Sequence, residues 1–185
     1  MKLDRPSGLM VGARQVLSPN ADDRPAGMEP EILVVHAISL PPGQYGGLGV
    51  EQLFCNRLPT KEHPFYREIA NLKVSSHFFV RRDGELVQFV PVHRRAWHAG
   101  KSFCEGRERV NDFSIGVELE GDDDHPFEPP QYDTLIQLTR ELMAVFPAIV
   151  RYRIYGHSDI APGRKTDPGP NFDWKRYRQS LPRPD

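Results

Sequence analysis

His157, Lys165 and Asp167 stand in one glycine- and proline-rich segment, Tyr155-Gly156-His157-Ser158-Asp159-Ile160-Ala161-Pro162-Gly163-Arg164-Lys165-Thr166-Asp167-Pro168-Gly169-Pro170. Such a segment cannot continue a helix or a central strand. His157 and Asp167 are ten positions apart, too far to share one helical face, but a structured loop can bring both to one point. An imidazole nitrogen and a carboxylate oxygen are zinc ligands, and His36 offers a third. Two histidines and a carboxylate leave a fourth position for water, whose pKa zinc lowers to about 7. Glu118 could then act as general base and Lys165 could stabilise an oxyanion. Those parts suffice to hydrolyse an amide, although spacing alone ranks that no higher than other zinc chemistry. Singly, each residue also has a plainer reading. His157 would be a surface-turn residue, His36 a satisfied core histidine, and Glu118 with Glu120 a solvated strand face.

The elements that must position these groups are legible in part. Ile32-Leu33-Val34-Val35-His36-Ala37-Ile38 is a β-branched run between Pro30 and Pro41-Pro42-Gly43, and reads as a strand buried on both faces. His36 lies near its C-terminal end, where α/β sheets commonly hold ligands. Leu9-Met10-Val11 reads as an edge strand, 18–30 as loop, and Pro41 to Gly49 as a loop suited to a lid. Short helices are expected over Val50–Asn56 and from Pro64 to Leu72, the latter opening on a proline. Ser76–Arg82 and Glu85–Val90 form a hairpin around Asp83-Gly84, with His77 at its start open to packing or to the site. Arg94-Arg95-Ala96-Trp97-His98-Ala99-Gly100 reads as a loop with an aromatic platform, and Lys101 to Asn111 as a basic polar stretch.

Phe113 to Glu120 alternates, with Phe113, Ile115, Val117 and Leu119 on one face and Ser114, Gly116, Glu118 and Glu120 on the other. Asp122-Asp123-Asp124 is an acidic loop, a pattern more often solvated than functional. Tyr132 to Phe146 carries the clearest helical periodicity, through Leu135, Leu138, Thr139, Leu142 and Phe146. A short strand over Tyr152–Tyr155 feeds His157, and Asp173 caps a last turn, Trp174 to Gln179. The ends, 1–8 and 181–185, are expected to be loose, around a core of about 9–180.

The chain of 185 residues fits one domain and can bury a core without disulfide staples. Lys+Arg is 24 against Asp+Glu 25, a net charge of −1 that gives no global attraction to nucleic acid or membrane. No apolar run is long enough to span a bilayer, and the polar Met1-Lys2-Leu3-Asp4-Arg5-Pro6 start points to a cytoplasmic protein. Cys55 and Cys104 lack redox or metal spacing and are read as free thiols.

Val34-Val35-His36, Arg95 through Gly100, Asn111 through Gly121 and Gly156 through Pro170 together resemble the zinc N-acetylmuramoyl-L-alanine amidases, from about Gly12 to Trp174. The last two motifs are long and specific. The resemblance implies an α/β domain of α+β type, a mixed central β-sheet flanked by helices. It implies one Zn2+ on His36, His157 and Asp167, Glu118 as base and Lys165 as carbonyl or oxyanion stabiliser. It also implies substrate contacts at Trp97, Arg109, Lys73 and His77. Ala37 and Lys73 depart from the family pattern, where Asn and Arg are frequent. The implied substrate is a 1,6-anhydro-muropeptide, cut between the lactyl group and L-alanine during wall recycling, with an indirect effect on β-lactamase induction. No obligate protein partner is expected. The competing readings are a peptidoglycan-binding module or a wall-lytic amidase or endolysin on the same fold. Binding modules typically lack a metal ligand, and this chain keeps all three.

Overall fold

The computed structural model describes residues 1–183. In chain order the strands are β1 (Lys2–Asp4), β2 (Leu9–Val11), β3 (Arg14–Gln15), β4 (Ala21–Asp23) and β5 (Ile32–Ile38). Helices α1 (Gly49–Phe54) and α2 (Pro64–Ile69) follow, then β6 (Phe78–Val80), β7 (Leu86–Gln88), β8 (Arg94–Ala96), β9 (Phe103–Cys104) and β10 (Arg107–Glu108). A 3-10 turn, Val110–Phe113, leads into β11 (Ser114–Glu120); α3 (Pro129–Val145), β12 (Ile154–Gly156), α4 (His157–Ile160) and α5 (Trp174–Gln179) complete the chain.

The main sheet has the order β12-β5-β11-β6-β7-β3. β12, β5, β11 and β6 run parallel, and β7 turns back antiparallel to β6 through the Asp83-Gly84 hairpin. The apolar run 32–38 sits between two parallel neighbours, and its first five residues are buried. That position accounts for its largely apolar, β-branched-rich sequence, because both faces are covered.

Alternation assigns the faces. Leu33, Val35, Ile115, Val117, Leu119, Phe78 and Val80 pack with Tyr132, Leu135, Leu138 and Leu142 of α3 and Tyr177 of α5. α3 follows its 3.6-residue period but starts earlier than the apolar pattern, at two prolines whose missing N–H groups cost nothing in a first turn. Its start is closed by reciprocal hydrogen bonds between Glu128 and Gln131. On the opposite face, Phe79, Val87 and Phe89 pack with Val50, Leu53, Phe54 and Tyr66 from α1 and α2. Ile32 and Val34 pack there with Val110, Phe113 and Ile160.

Three expectations are corrected, and the plainer reading of the Glu118–Glu120 face falls away. Phe113 ends the 3-10 turn rather than beginning a strand, so it joins the Ile32–Val34 cluster and not the face of Ile115. Every residue of β11 is buried, so the Glu118–Glu120 face is covered rather than solvated. The N-terminal residues are not loose: Leu3 is buried, β1 pairs with β2, and the Leu3 N–H donates to Glu141 at 2.8 Å. Leu181 is likewise buried, and the rest of the looseness expected over 181–185 falls in part outside the described residues. Both cysteines are free and buried. No helix among the described residues is long and apolar enough to cross a membrane.

Candidate metal centre and its cleft

Three adjacent parallel strands deliver the centre at their carboxyl ends, where open α/β sheets place ligands. His36 is the fifth residue of β5. Glu118 pairs with it directly across β11, so both side chains leave the same face. Gly156 ends β12 opposite Val35, and His157 follows it at the start of α4. The turn is closed by the Gly156 N–H donating to Asp159 at 2.7 Å. The segment to Asp167 then folds back, and the Ser158 N–H donates to the Asp167 carbonyl at 3.0 Å. The ten-residue separation thus closes as a hydrogen-bonded loop.

His36 Nδ1 lies 3.0 Å from His157 Nδ1 and 3.2 Å from Asp167 Oδ2, and His157 Nδ1 lies 3.0 Å from the same oxygen. These residues form a group that could hold a metal ion. A tetrahedral zinc with bonds of about 2.0–2.1 Å separates its ligand atoms by roughly 3.3–3.4 Å. The triangle therefore needs only a slight opening to fit. The other ring nitrogens are engaged: His36 Nε2 lies 2.9 Å from His98 Nδ1, and His157 Nε2 lies 3.3 Å from the Ala99 carbonyl oxygen. With Nε2 carrying the proton on each ring, two Nδ1 lone pairs and a carboxylate oxygen converge, an arrangement that a cation relieves.

Charge states agree with that donor set. Burial lowers the His36 pKa to about 4, so the ring is neutral at neutral pH. Burial opposes ionisation of Asp167, but its contacts with the His157 and His36 rings outweigh it when their Nδ1 atoms carry protons and hold the carboxyl well below its usual range; in the tautomer above a cation takes over that role. Burial pushes the Glu118 carboxyl well above the usual range, with Asp167 adding to that and Lys165 opposing it. Glu118 Oε2 is buried with no hydrogen-bond partner among the described residues. An orphaned carboxylate oxygen beside a ready donor set is what a site for a cation and a water leaves behind.

The cleft has a volume of about 620 Å3 and holds His157, Glu118, Lys165 and Asp167 on one side. The same cleft is also lined by the apolar side chains of Leu40, Leu53, Phe54, Phe65, Ile69 and Leu72. Lys165 is exposed at the rim, its backbone held by the Ala161 carbonyl at 3.1 Å, and its ammonium makes no ion pair among the described residues. A second cleft of about 540 Å3 adjoins the first across Arg164 and is lined by Lys101, Phe103 and Arg109.

The chain matches the N-acetylmuramoyl-L-alanine amidase family over residues 26–170. It belongs to that family. The amidase is 54% identical over 171 residues to the 1,6-anhydro-N-acetylmuramyl-L-alanine amidase AmpD of Escherichia coli K12, covering 92% of this chain and 93% of that protein. A crystal structure of an AmpD selenomethionine derivative superposes with a TM-score of 0.95 at 50% identity, over 98% of this chain and 100% of that one. AmiD from E. coli is 30% identical, with a TM-score of 0.61 over 85% of this chain and 60% of that one. Its structure is a complex with the substrate anhydro-N-acetylmuramic acid-L-Ala-D-gamma-Glu-L-Lys. The α/β fold expected of the family is the fold observed.

The residues expected to touch substrate part company in the amidase. Arg109 is exposed on the second cleft, and Lys73 is exposed between Leu72 and Val74, which line the first. Trp97 is half-buried outside both linings, and its indole N–H donates to Asp22 at 3.0 Å. His77 is a correction. It is fully buried, its Nδ1 accepting from the Gly116 N–H and its Nε2 lying 3.0 Å from the Arg94 carbonyl oxygen. Burial and the Arg24 charge lower its pKa to about 3. It is a packed neutral histidine with no face on the cleft. Sequence reasoning missed the apolar wall, whose signal was the i, i+4 pair Phe65 and Ile69 with Leu72 beyond. It also left His98 without a role, although that residue lies inside the Arg95–Gly100 motif.

Proposed function

We propose that this amidase is zinc-dependent and hydrolyses the amide between the lactyl group of 1,6-anhydro-N-acetylmuramic acid and the L-alanine of a stem peptide, in cytoplasmic peptidoglycan recycling. The observation that supports it best is the convergence of His36, His157 and Asp167 at 3.0–3.2 Å beside the orphaned Glu118 carboxylate. The substrate assignment draws on the names of the AmpD relatives.

His36, His157 and Asp167 would hold the metal, which when bound polarises the scissile carbonyl and acidifies a water. Glu118 removes a proton from the attacking water and returns it to the leaving L-alanine nitrogen. Burial keeps that carboxylate unsolvated and basic until the reaction needs it. The Lys165 ammonium offsets the negative charge that develops on the carbonyl oxygen. An anhydro sugar has lost two hydroxyl groups to its internal ether, so it suits the apolar wall of Leu40, Leu53, Phe54, Phe65 and Ile69. The stem peptide carries carboxylates, which fit the basic second cleft at Lys101 and Arg109. Lys73, exposed beside the first cleft, would be a further contact, whereas Trp97 would have to act from outside both linings. Removing anhydro-muropeptides would also lower any signal that they send to β-lactamase induction.

The test is turnover of purified protein on anhydro-muropeptide and on intact sacculus. Much faster release of peptide from the soluble anhydro substrate is expected. Equal or greater activity on sacculus would make it a wall-lytic amidase, and binding without cleavage of either would make it a recognition module.

A further inference from the structure

The dipeptide His98-Ala99 touches both histidines of the metal centre. His98 Nδ1 lies 2.9 Å from His36 Nε2, and the Ala99 carbonyl oxygen lies 3.3 Å from His157 Nε2. The dipeptide is itself pinned by one side chain: Asn111 Oδ1 accepts from the His98 N–H at 3.1 Å and from the Ala99 N–H at 2.8 Å. Behind the ring, His98 Nε2 lies 3.1 Å from Ser114 Oγ. The ring also sits on Gly116, where an added Cβ would come within 2.5 Å of His98 Cγ. The glycine in the middle of β11 thus leaves the space that the imidazole fills.

The hydrogen-bond roles close in one way. A ligating Nδ1 on His36 leaves the proton on Nε2, which must donate, so His98 Nδ1 must accept. His98 then carries its own proton on Nε2, and Ser114 Oγ is the acceptor there. A ring that accepts at Nδ1 and donates at Nε2 is the neutral imidazole, with one donor and one acceptor. Both His98 contacts are thereby satisfied, and neither nitrogen is left over.

We propose that His98 is a positioning residue: by accepting from His36 it fixes the tautomer and ring angle of that ligand, while Asn111, through Ala99, does the same for His157. The inference rests on the zinc reading above. Partners of this kind change metal affinity by about 10–100-fold when removed. His98→Leu keeps approximate volume and loses the acceptor. His98→Asn places Oδ1 where Nδ1 stands and restores the acceptor.

The experiment measures zinc affinity by competition with a chelating dye for the wild type, His98→Leu, His98→Asn and Asn111→Ala. His98→Leu and Asn111→Ala should each bind zinc about 10–100-fold more weakly, with His98→Asn recovering most of the loss. His98→Leu at wild-type affinity, or His98→Asn as weak as His98→Leu, would reduce His98 to packing. A wild type that binds no zinc would instead overturn the zinc reading itself. Imidazole nitrogen NMR of the zinc-loaded wild type needs no variant. It should find the proton of His36 on Nε2 and a hydrogen-bonded, unprotonated Nδ1 on His98; a proton on His98 Nδ1 overturns the proposal even if the variants do not fold.

Discussion

Glu118 and His36 are direct partners across two parallel strands, so one face of the sheet presents a metal-ligating imidazole and a carboxylate side by side. Glu120, two residues on, shares that face but is committed elsewhere. Its Oε1 accepts from the Gly46 N–H at 2.6 Å and its Oε2 from the Arg82 N–H at 3.0 Å. Register therefore separates a carboxylate that can do chemistry from one that ties the loop before α1 to the β6–β7 hairpin.

The first prediction uses that separation. Glu118→Ala should keep zinc and substrate affinity while kcat falls about 10²–10⁴-fold, the usual worth of a general base. Glu120→Ala should leave kcat within a few fold and instead lower stability, because two backbone donors lose a buried acceptor at about 1–3 kcal/mol each. The measurements are kcat at confirmed zinc occupancy and denaturant midpoints. Normal turnover in Glu118→Ala beside an inactive Glu120→Ala would exchange the two roles.

Lys165 is exposed and, among the described residues, bonded only through its backbone, so its side chain can be removed without cost to folding. Lys165→Ala should lose roughly 10²–10³-fold in kcat, as oxyanion donors do elsewhere, with an unchanged melting temperature. An unaltered kcat would take it out of the reaction. The double variant with Glu118→Ala need not show the product of the two losses, since both groups serve one transition state.

Chelation should abolish activity and leave the protein folded. The core clusters built on Leu33, Val35 and Leu135, and on Phe54 and Phe89, do not include the metal centre. Metal at a thousandfold excess over its Kd adds about 4 kcal/mol by mass action, so the chelated protein should melt lower but still cooperatively. Elemental analysis finding no zinc, together with full activity in chelator, would remove the metal from the mechanism.

The family resemblance implies substrate contacts at both Arg109 and His77, and the structure predicts opposite phenotypes for them. Arg109→Ala should raise KM about tenfold, the worth of one charge-assisted hydrogen bond, and change stability by no more than about 1 kcal/mol, since its ion pair with Asp112 at 3.2 Å is made by a largely exposed guanidinium. His77→Leu strands the Gly116 N–H and the Arg94 carbonyl inside the protein, so it should lower stability and leave KM unchanged in the folded fraction. A raised KM in folded His77→Leu would return that residue to the cleft.

The difference between those residues shows where the sequence stops informing. The run Ile32–Ile38 and the α3 periodicity announce themselves because each is a local pattern longer than a few residues, and the Asp83-Gly84 turn because its dipeptide chemistry is specific. β1, β4, β9 and β10 span two or three residues and have no period to detect. Alternation placed Glu118 and Glu120 on one face but could not say what covers it. The cover at Gly116 is the His98 ring, which arrives from another element. His77 and His98 are alike in sequence, each a histidine near a strand, and only distant partners distinguish a packed ring from one that holds a ligand.

Gly156 offers a test of how tightly the loop to Asp167 is set. Its backbone, at φ −80° and ψ 160°, is one that alanine adopts without strain. A Cβ there would nevertheless stand 2.9 Å from Pro168 Cδ and 3.3 Å from both Ser158 Oγ and the Trp174 ring. Pro168 is bonded to Asp167, and Trp174 belongs to the aromatic packing with Phe172 and Tyr177, so the loop is the part free to give. Gly156→Ala should therefore move Asp167 away from His36 and His157 and weaken zinc binding about tenfold or more, while overpacking costs about 1–3 kcal/mol of stability. Gly163→Ala, in the same loop with nothing near its Cβ but a positive φ of 75°, is the control: it should cost stability without changing zinc affinity. Zinc titrations of the two variants decide the matter, and equal affinities would mean that the loop absorbs the methyl group without moving its carboxylate.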